Sequence, residues 1–136
     1  MAFKSDKVDK ELVRRLVELT GLGERDATTL ARAGQDVRVP EGWSIIFETT
    51  PSDKAYILLE GTVDIRKGGE KIAEVGPGGV LGEIGLLNHQ LRSASVVAAT
   101  PIVAIHFTAE AISDLVRDVP AFSDLFKDAA QSHTND

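Results

Sequence analysis

Cysteine is absent from this chain. That removes a disulfide framework, a thiolate nucleophile and a zinc–thiolate centre from consideration. Histidine is scarce and scattered: His89, His106 and His133 form no His-x-His pair of the kind a metal cluster needs. Basic side chains are in the minority, 15 Lys and Arg against 21 Asp and Glu, for a formal charge of −6. Such a balance disfavours nonspecific binding to nucleic acid, which needs a basic surface to release counterions. A small anion held locally by one arginine is still compatible with it. No apolar run approaches the ~20 residues of a membrane span, and the N-terminal MAFKSDKVDKE is too charged for a signal peptide. A soluble, cytoplasmic chain with no membrane partner is expected.

What remains is ordinary globular material. Hydrophobic residues make up 43% and charged residues 26% of the 136 residues, enough for one domain with one proper core. Val8, Leu12, Leu16 and Leu19 recur at helical spacing, with Asp6 as the expected N-cap. A second helix is predicted from Glu24 to Ala33, burying Ala27, Leu30 and Ala31 and stopped by Gly34. From Gln35 to about Phe107 short β-rich runs alternate with turn residues: DVRV, WSIIFE, AYILLEG, TVDIRK, EKIAEVG, RSASVVAA and IVAIHF. The KGGE at Lys67 to Glu70 reads as a hairpin turn, because Gly68 and Gly69 can supply positive φ angles. Ala109 to Val116 reads as a helix, Pro120 interrupts, and Ala121 to Ala130 reads as another. The sum is a mainly β fold, a barrel or jelly roll between helical ends. It divides into N-terminal helices over 1–34, a β-barrel over 35–108, and C-terminal helices with a tail over 109–136, all within one domain, 1–136.

One stretch interrupts the strands. GPGGVLGE, Gly76 to Glu83, carries four glycines in eight residues, so its backbone can bend sharply and approach a ligand closely. EIGLL then suits a short helical turn whose free N–H groups form an anion site. Arg92 follows at the start of the next strand run, and no other formally charged side chain lies between it and Glu83. Unpaired ions among small and aliphatic residues are costly, so both should have partners. A guanidinium beside helix N-terminal amides is a good phosphate receptor. A carboxylate cannot bind phosphate, but it accepts hydrogen bonds from a sugar hydroxyl. Side by side, the two describe a nucleotide site.

Gly82-Glu83-Ile84-Gly85-Leu86-Leu87, four further residues, then Arg92-Ser93-Ala94-Ser95-Val96, resembles the phosphate-binding cassette of cyclic nucleotide-binding domains. These are the cAMP and cGMP receptor modules of catabolite activator protein, protein kinase regulatory subunits and nucleotide-gated channels. The resemblance covers nearly the whole chain, with Gly42, Tyr56 and the Gly61 of GTVDI as softer matches, and places the cassette at 82–96. It implies an eight-stranded antiparallel jelly roll with N-terminal helices, a short cassette helix and two C-terminal helices. It further implies that Glu83 accepts the ribose 2′-hydroxyl beside the Gly82 backbone, and that Arg92 binds the exocyclic phosphate oxygens. The Gly85 and Ser93 amides complete the phosphate nest, and the Ser93 hydroxyl touches phosphate or purine. Leu81, Ile84 and Ala94 complete the ligand-binding set, and Phe122, Leu125, Phe126 and Ala129 are candidates for a lid over the purine. With few packing contacts expected after Pro120, that lid helix should be mobile without ligand. No metal, cofactor or catalytic residue is implied. The ligand is cAMP, or cGMP with lower preference, because serine rather than threonine follows the arginine.

This chain departs from the family pattern at Gly79, where an aspartate is usual, at Leu81, where an aromatic is usual, and at Thr49-Thr50-Pro51, which replaces a glycine. None removes a group assigned to phosphate or ribose. The chain ends about ten residues past Phe126, which leaves no room for a helix-turn-helix, so direct DNA binding by this chain is not expected. Partners implied are the nucleotide, an unidentified effector protein and a second copy in a homodimer. Bland readings stand beside these: Glu83 and Arg92 as a structural ion pair, and Phe122 and Phe126 as core. A metal-binding cupin lacks its histidine cluster, and no nucleophile or acid–base pair marks an enzyme. Three function classes remain: a non-catalytic cyclic nucleotide sensor, which is the reading adopted, a degenerate barrel used as a protein-interaction module, and an enzyme, for which the sequence offers no catalytic set.

Overall fold

The computed structural model describes residues 9–46, 54–81, 94–122 and 124–125. Helix α1 spans Lys10–Thr20 and α2 Glu24–Ala33; eight strands follow, then α3, Ala109–Asp118. The first cap lies three residues beyond the expected one. Asp9, not Asp6, accepts hydrogen bonds from the Glu11 and Leu12 amides, at 2.9 and 3.4 Å. Asp6 and Val8 lie outside the described residues. A start at Lys10 centres the buried face on Val13 and Leu16, with Leu12, Val17 and Leu19 at its margins. Gly21, at φ 77°, ends the helix by donating to the Val17 carbonyl. The second helix has the predicted bounds and buries Ala27 and Leu30. Gly34 ends it for a reason of space. Its backbone is extended, but a Cβ there would stand 2.3 Å from Ile105 Cγ2 and 2.8 Å from Phe107 Cε1.

The strands are β1 Gln35–Val39, β2 Ser44–Ile46, β3 Lys54–Glu60, β4 Val63–Lys67, β5 Glu70–Val75, β6 Val80–Leu81, β7 Ser95–Ala98 and β8 Ile102–Thr108. They form two antiparallel four-stranded sheets, ordered β1-β8-β3-β6 and β2-β7-β4-β5, consistent with the jelly roll. Lys67 pairs with Glu70 across Gly68 and Gly69, whose φ angles of 61° and 82° are those of the expected two-residue hairpin turn. The eighth strand, β6, hides inside the glycine-rich stretch that interrupts the sequence pattern. Its described residues, Val80 and Leu81, lie among glycines and show no period of two.

Alternation along β3 and β8 sends side chains to two separate cores. Tyr56, Leu58, Ile102 and Ala104 point into the barrel, where they meet Ile46, Val63, Ile65, Leu81, Val96 and Ala98. Ala55, Ile57, Leu59, Ile105 and Phe107 point outward onto α1, α2 and α3. The first sheet is therefore covered on both faces, and β3 is buried from Ala55 through Leu59. The second sheet wets its outer face, and β4 alternates buried and half-buried residues. Arg15 ties α1 to the end of β3 by donating to Glu60 Oε2 at 3.1 Å and to the Leu59 carbonyl at 3.0 Å.

Thr108 caps α3 through the Ala111 amide, and the helix closes on Val119. Residues 120–122 and 124–125 are helical again, beginning at the proline that the sequence marks as a break. Proline is well placed at a first helical position, where its missing N–H is not needed. Phe122 donates its amide to Val119 and buries its ring completely, edge-on to Phe107 at 5.9 Å between centroids. The first turn of this segment is thus well packed, contrary to the sparse contacts expected for it.

Two substitutions separate space from backbone freedom. Gly34→Ala should destabilise the fold by about 1–3 kcal/mol through overpacking. Gly76→Ala, where a Cβ meets nothing within 4 Å, should stay within about 0.5 kcal/mol of wild type. Phe122→Ala should cost about 3–5 kcal/mol. Urea denaturation of the three variants reads all of these, and equal midpoints for the two glycine variants would refute the steric reading.

Candidate functional site

The barrel core reaches the candidate site from both sides in sequence. Leu81 is the last residue of β6, paired with Tyr56 and 1% exposed, and the cassette motif begins directly after it. Its neighbour Val80 packs on the helix side, so Leu81 alone of the pair faces the barrel interior. On the far side of the motif Ala94 is half-buried against the same interior core, and β7 follows, pairing with β4 and β2. Strand β6 belongs to one sheet and β7 to the other. Two of the expected ligand-binding residues, Leu81 and Ala94, are thereby brought to one apolar cluster although thirteen positions apart. Gly82, Glu83, Ile84, Gly85, Arg92 and Ser93 lie outside the described residues.

The approach to Leu81 accounts for one departure from the family pattern. The Gly78 amide donates to the Leu58 carbonyl at 2.7 Å, and the Leu58 amide to the Gly79 carbonyl at 2.9 Å, extending the β3 ladder backwards from β6. Gly79 also donates to the Gly76 carbonyl at 3.1 Å, closing a tight turn. A Cβ at Gly79 would stand 2.1 Å from Val75 Cγ1. With valine at 75, position 79 has no room for an aspartate.

A row of side chains crosses the first sheet at the level of Leu81. Tyr56 pairs with Leu81 on one side and His106 on the other, and His106 pairs with Gln35 on β1. The Tyr56 and His106 rings stand 5.3 Å apart at 49°. Sequence reasoning treated His106 only as one of three scattered histidines. Its signal was the alternation Ile102, Ala104, His106, which assigns it to the interior face of β8. This puts a titratable ring and a phenol on the barrel face that carries Leu81.

The lid candidates divide. Phe122 lies in the helix-side core against Phe107, as the core reading has it, and Leu125 packs at the margin of that cluster. Phe126 and Ala129 lie outside the described residues. Leu81 and Phe122 occupy different cores, separated by the first sheet. Among the described residues no group of His, Asp or Glu could hold a metal ion. No described helix is long and apolar enough to cross a membrane.

The family model for the cyclic nucleotide-binding domain matches residues 36–118. Over 105 residues, 74% of this chain, the sequence is 34% identical to an uncharacterized ABC transporter ATP-binding protein of Mycobacterium tuberculosis. The match spans only 31% of that relative, so the chain corresponds to about a third of its length. Among solved structures, a cyclic nucleotide-binding domain from Methylobacillus flagellatus superposes with a TM-score of 0.83 at 20% identity, covering 94% of this chain and 81% of that one. The regulatory subunit of a cAMP-independent protein kinase A from Trypanosoma brucei is 28% identical, with a TM-score of 0.76 over 90% of this chain and 44% of its own. The regulatory domain of Toxoplasma gondii protein kinase A, crystallised with cAMP, gives 0.77 at 19% identity over 90% of this chain and 49% of its own. With the barrel, the flanking helices and the matched residues in agreement, the chain belongs to the cyclic nucleotide-binding domain family.

Proposed function

We propose that this chain binds a cyclic purine mononucleotide, cAMP in preference to cGMP, and acts as a non-catalytic regulatory module on an effector protein. The observation that carries this reading is the motif Gly82-Glu83-Ile84-Gly85 followed by Arg92-Ser93, whose described neighbours Leu81 and Ala94 both pack on the interior core of a family barrel. In this reading Arg92 meets the exocyclic phosphate with its planar fork, and the Gly85 and Ser93 amides complete the anion site. Glu83 accepts the ribose 2′-hydroxyl, beside the Gly82 backbone. Leu81, Ile84 and Ala94 supply the apolar wall, with Phe126 and Ala129 toward the purine, while Leu125 packs with the helix-side core. Phe122, buried in this structure, would anchor that segment rather than travel with it.

A second reading has one specific support. The Trypanosoma brucei relative, at 28% identity, is a subunit of a cAMP-independent kinase, so a barrel of this family can serve a regulatory protein that does not depend on cAMP. Under it the chain is an interaction module without ligand, and Glu83 and Arg92 form a structural ion pair. Calorimetric titration with cAMP and cGMP decides between the two. Heat and a thermal shift are expected with cAMP; neither at millimolar nucleotide would leave the interaction module.

Affinity for cAMP should exceed that for cGMP by about tenfold, or ~1.4 kcal/mol. Equal affinities would refute the preference. Arg92→Ala should lose about 2–5 kcal/mol of cAMP binding, ~30-fold to several thousand-fold, and Arg92→Lys should recover only part. Glu83→Ala should lose less, about 1–3 kcal/mol. The 2′-deoxy nucleotide should bind wild type more weakly and be nearly indifferent to Glu83→Ala. Unfolding of Arg92→Ala, with normal binding by the fraction that stays folded, would make Arg92 structural.

A further inference from the structure

Among the described residues four strands lie at sheet edges, and two of them carry irregularities: β2 shifts register against β7, and β5 shifts register against β4. Short edges and bulges are the usual devices that stop a sheet from recruiting another chain. Strand β1 has neither. Its five residues pair with β8 in unbroken register, from Gln35 opposite His106 to Val39 opposite Ile102. No described strand pairs with its other side.

The sequence of that edge is self-complementary. Val37 and Val39 are half-buried toward the barrel interior, while Asp36 and Arg38 are exposed on the opposite face. Neither Asp36 nor Arg38 forms an ion pair among the described residues. Set antiparallel to itself with Val37 opposite Val37, the strand brings Asp36 opposite Arg38 twice, and all four charges share one face. The neighbouring in-phase registers do not. One puts Arg38 opposite Arg38 and leaves Asp36 opposite Pro40; the other puts Asp36 opposite Asp36 and leaves Arg38 opposite Gly34. Opposite charges directly across an antiparallel ladder stabilise it and like charges destabilise it. Beside Arg38 lies a groove of about 390 Å³, lined by Val39, Pro40, Glu60, Pro101 and Val103. Its carboxylate, Glu60, is already held by Arg15 at 3.1 Å.

We infer that the free edge of β1 is a homodimer contact, in which two copies pair β1 to β1 about Val37 and form one continuous eight-stranded sheet. Asp36 of the second copy then meets Arg38 at the groove. A five-residue ladder buries less than the ~1,200 Å² of a standard stable interface, so the dimer is weak and concentration-dependent, with Kd on the order of 10 µM to 1 mM. Because both charges sit in water, salt should weaken it further.

Sedimentation equilibrium of the full chain from about 10 µM to about 1 mM tests the contact. Wild type should associate reversibly. D36R and R38D each place like charges opposite one another twice, and should weaken self-association about tenfold or more. An equimolar mixture of D36R and R38D should associate again, since arginines of one then face aspartates of the other. The D36R/R38D double variant should likewise recover. Thermal melts of each variant exclude misfolding, which exposed positions should not cause. A wild type monomeric up to about 1 mM overturns the inference, as does a dimer that D36R and R38D leave unchanged. Failure of the mixture to associate while each single variant is folded also overturns it.

Discussion

Strand β3 lies between two cores, and the strict alternation of its side chains is what keeps those cores apart. Tyr56 and Leu58 fill the barrel, while Ala55, Ile57 and Leu59 receive the helices. A one-residue slip of β3 against β8 would exchange the two sets. Arg15 holds the C-terminal end of β3 to α1, and Gly78 and Gly79 extend its ladder toward β6. Everything near the candidate site hangs from this strand. Leu81 faces the interior because it pairs with Tyr56, and the cassette motif starts one residue later.

The two cores also divide the labour of the molecule. The interior cluster is built from residues of both sheets and reaches Leu81 and Ala94, the flanks of the candidate motif. The outer cluster is built from one sheet and helices α1, α2 and α3, and Phe122 joins it beside Phe107. Among the described residues the two clusters meet across the shared first sheet.

Charge on the described surface is mostly local. Arg14 bonds to Glu11 and Glu18 on one helix, and Arg117 to Asp114 and Asp118 on another. Arg14 beside Glu11 holds that carboxyl below its usual range, and Arg117 does the same for Asp118. Both pairs are fully exposed, so water screens them and their weight in stability is small. The charges on which the proposed function rests, Glu83 and Arg92, stand among small and aliphatic residues in the sequence.

Much of this was legible in the residues. Periodicity and turn chemistry set α2, the Gly68-Gly69 hairpin and seven of the eight strands, because those signals are local. The family was legible as well, since the motif that carries the resemblance lies in one short stretch of neighbouring residues. What the chain alone did not reveal depends on distant neighbours. Asp9 rather than Asp6 caps α1, because the packed face is centred on Val13 and Leu16. Strand β6 exists only because β3 is there to pair with it. Gly34 and Gly79 look like flexible residues in one dimension. In three, Ile105 and Val75 leave them no room for a side chain. His106 reads as a stray histidine until register sets it beside Tyr56. Local chemistry is written in neighbouring letters, whereas space and register belong to pairs of residues that only folding brings together.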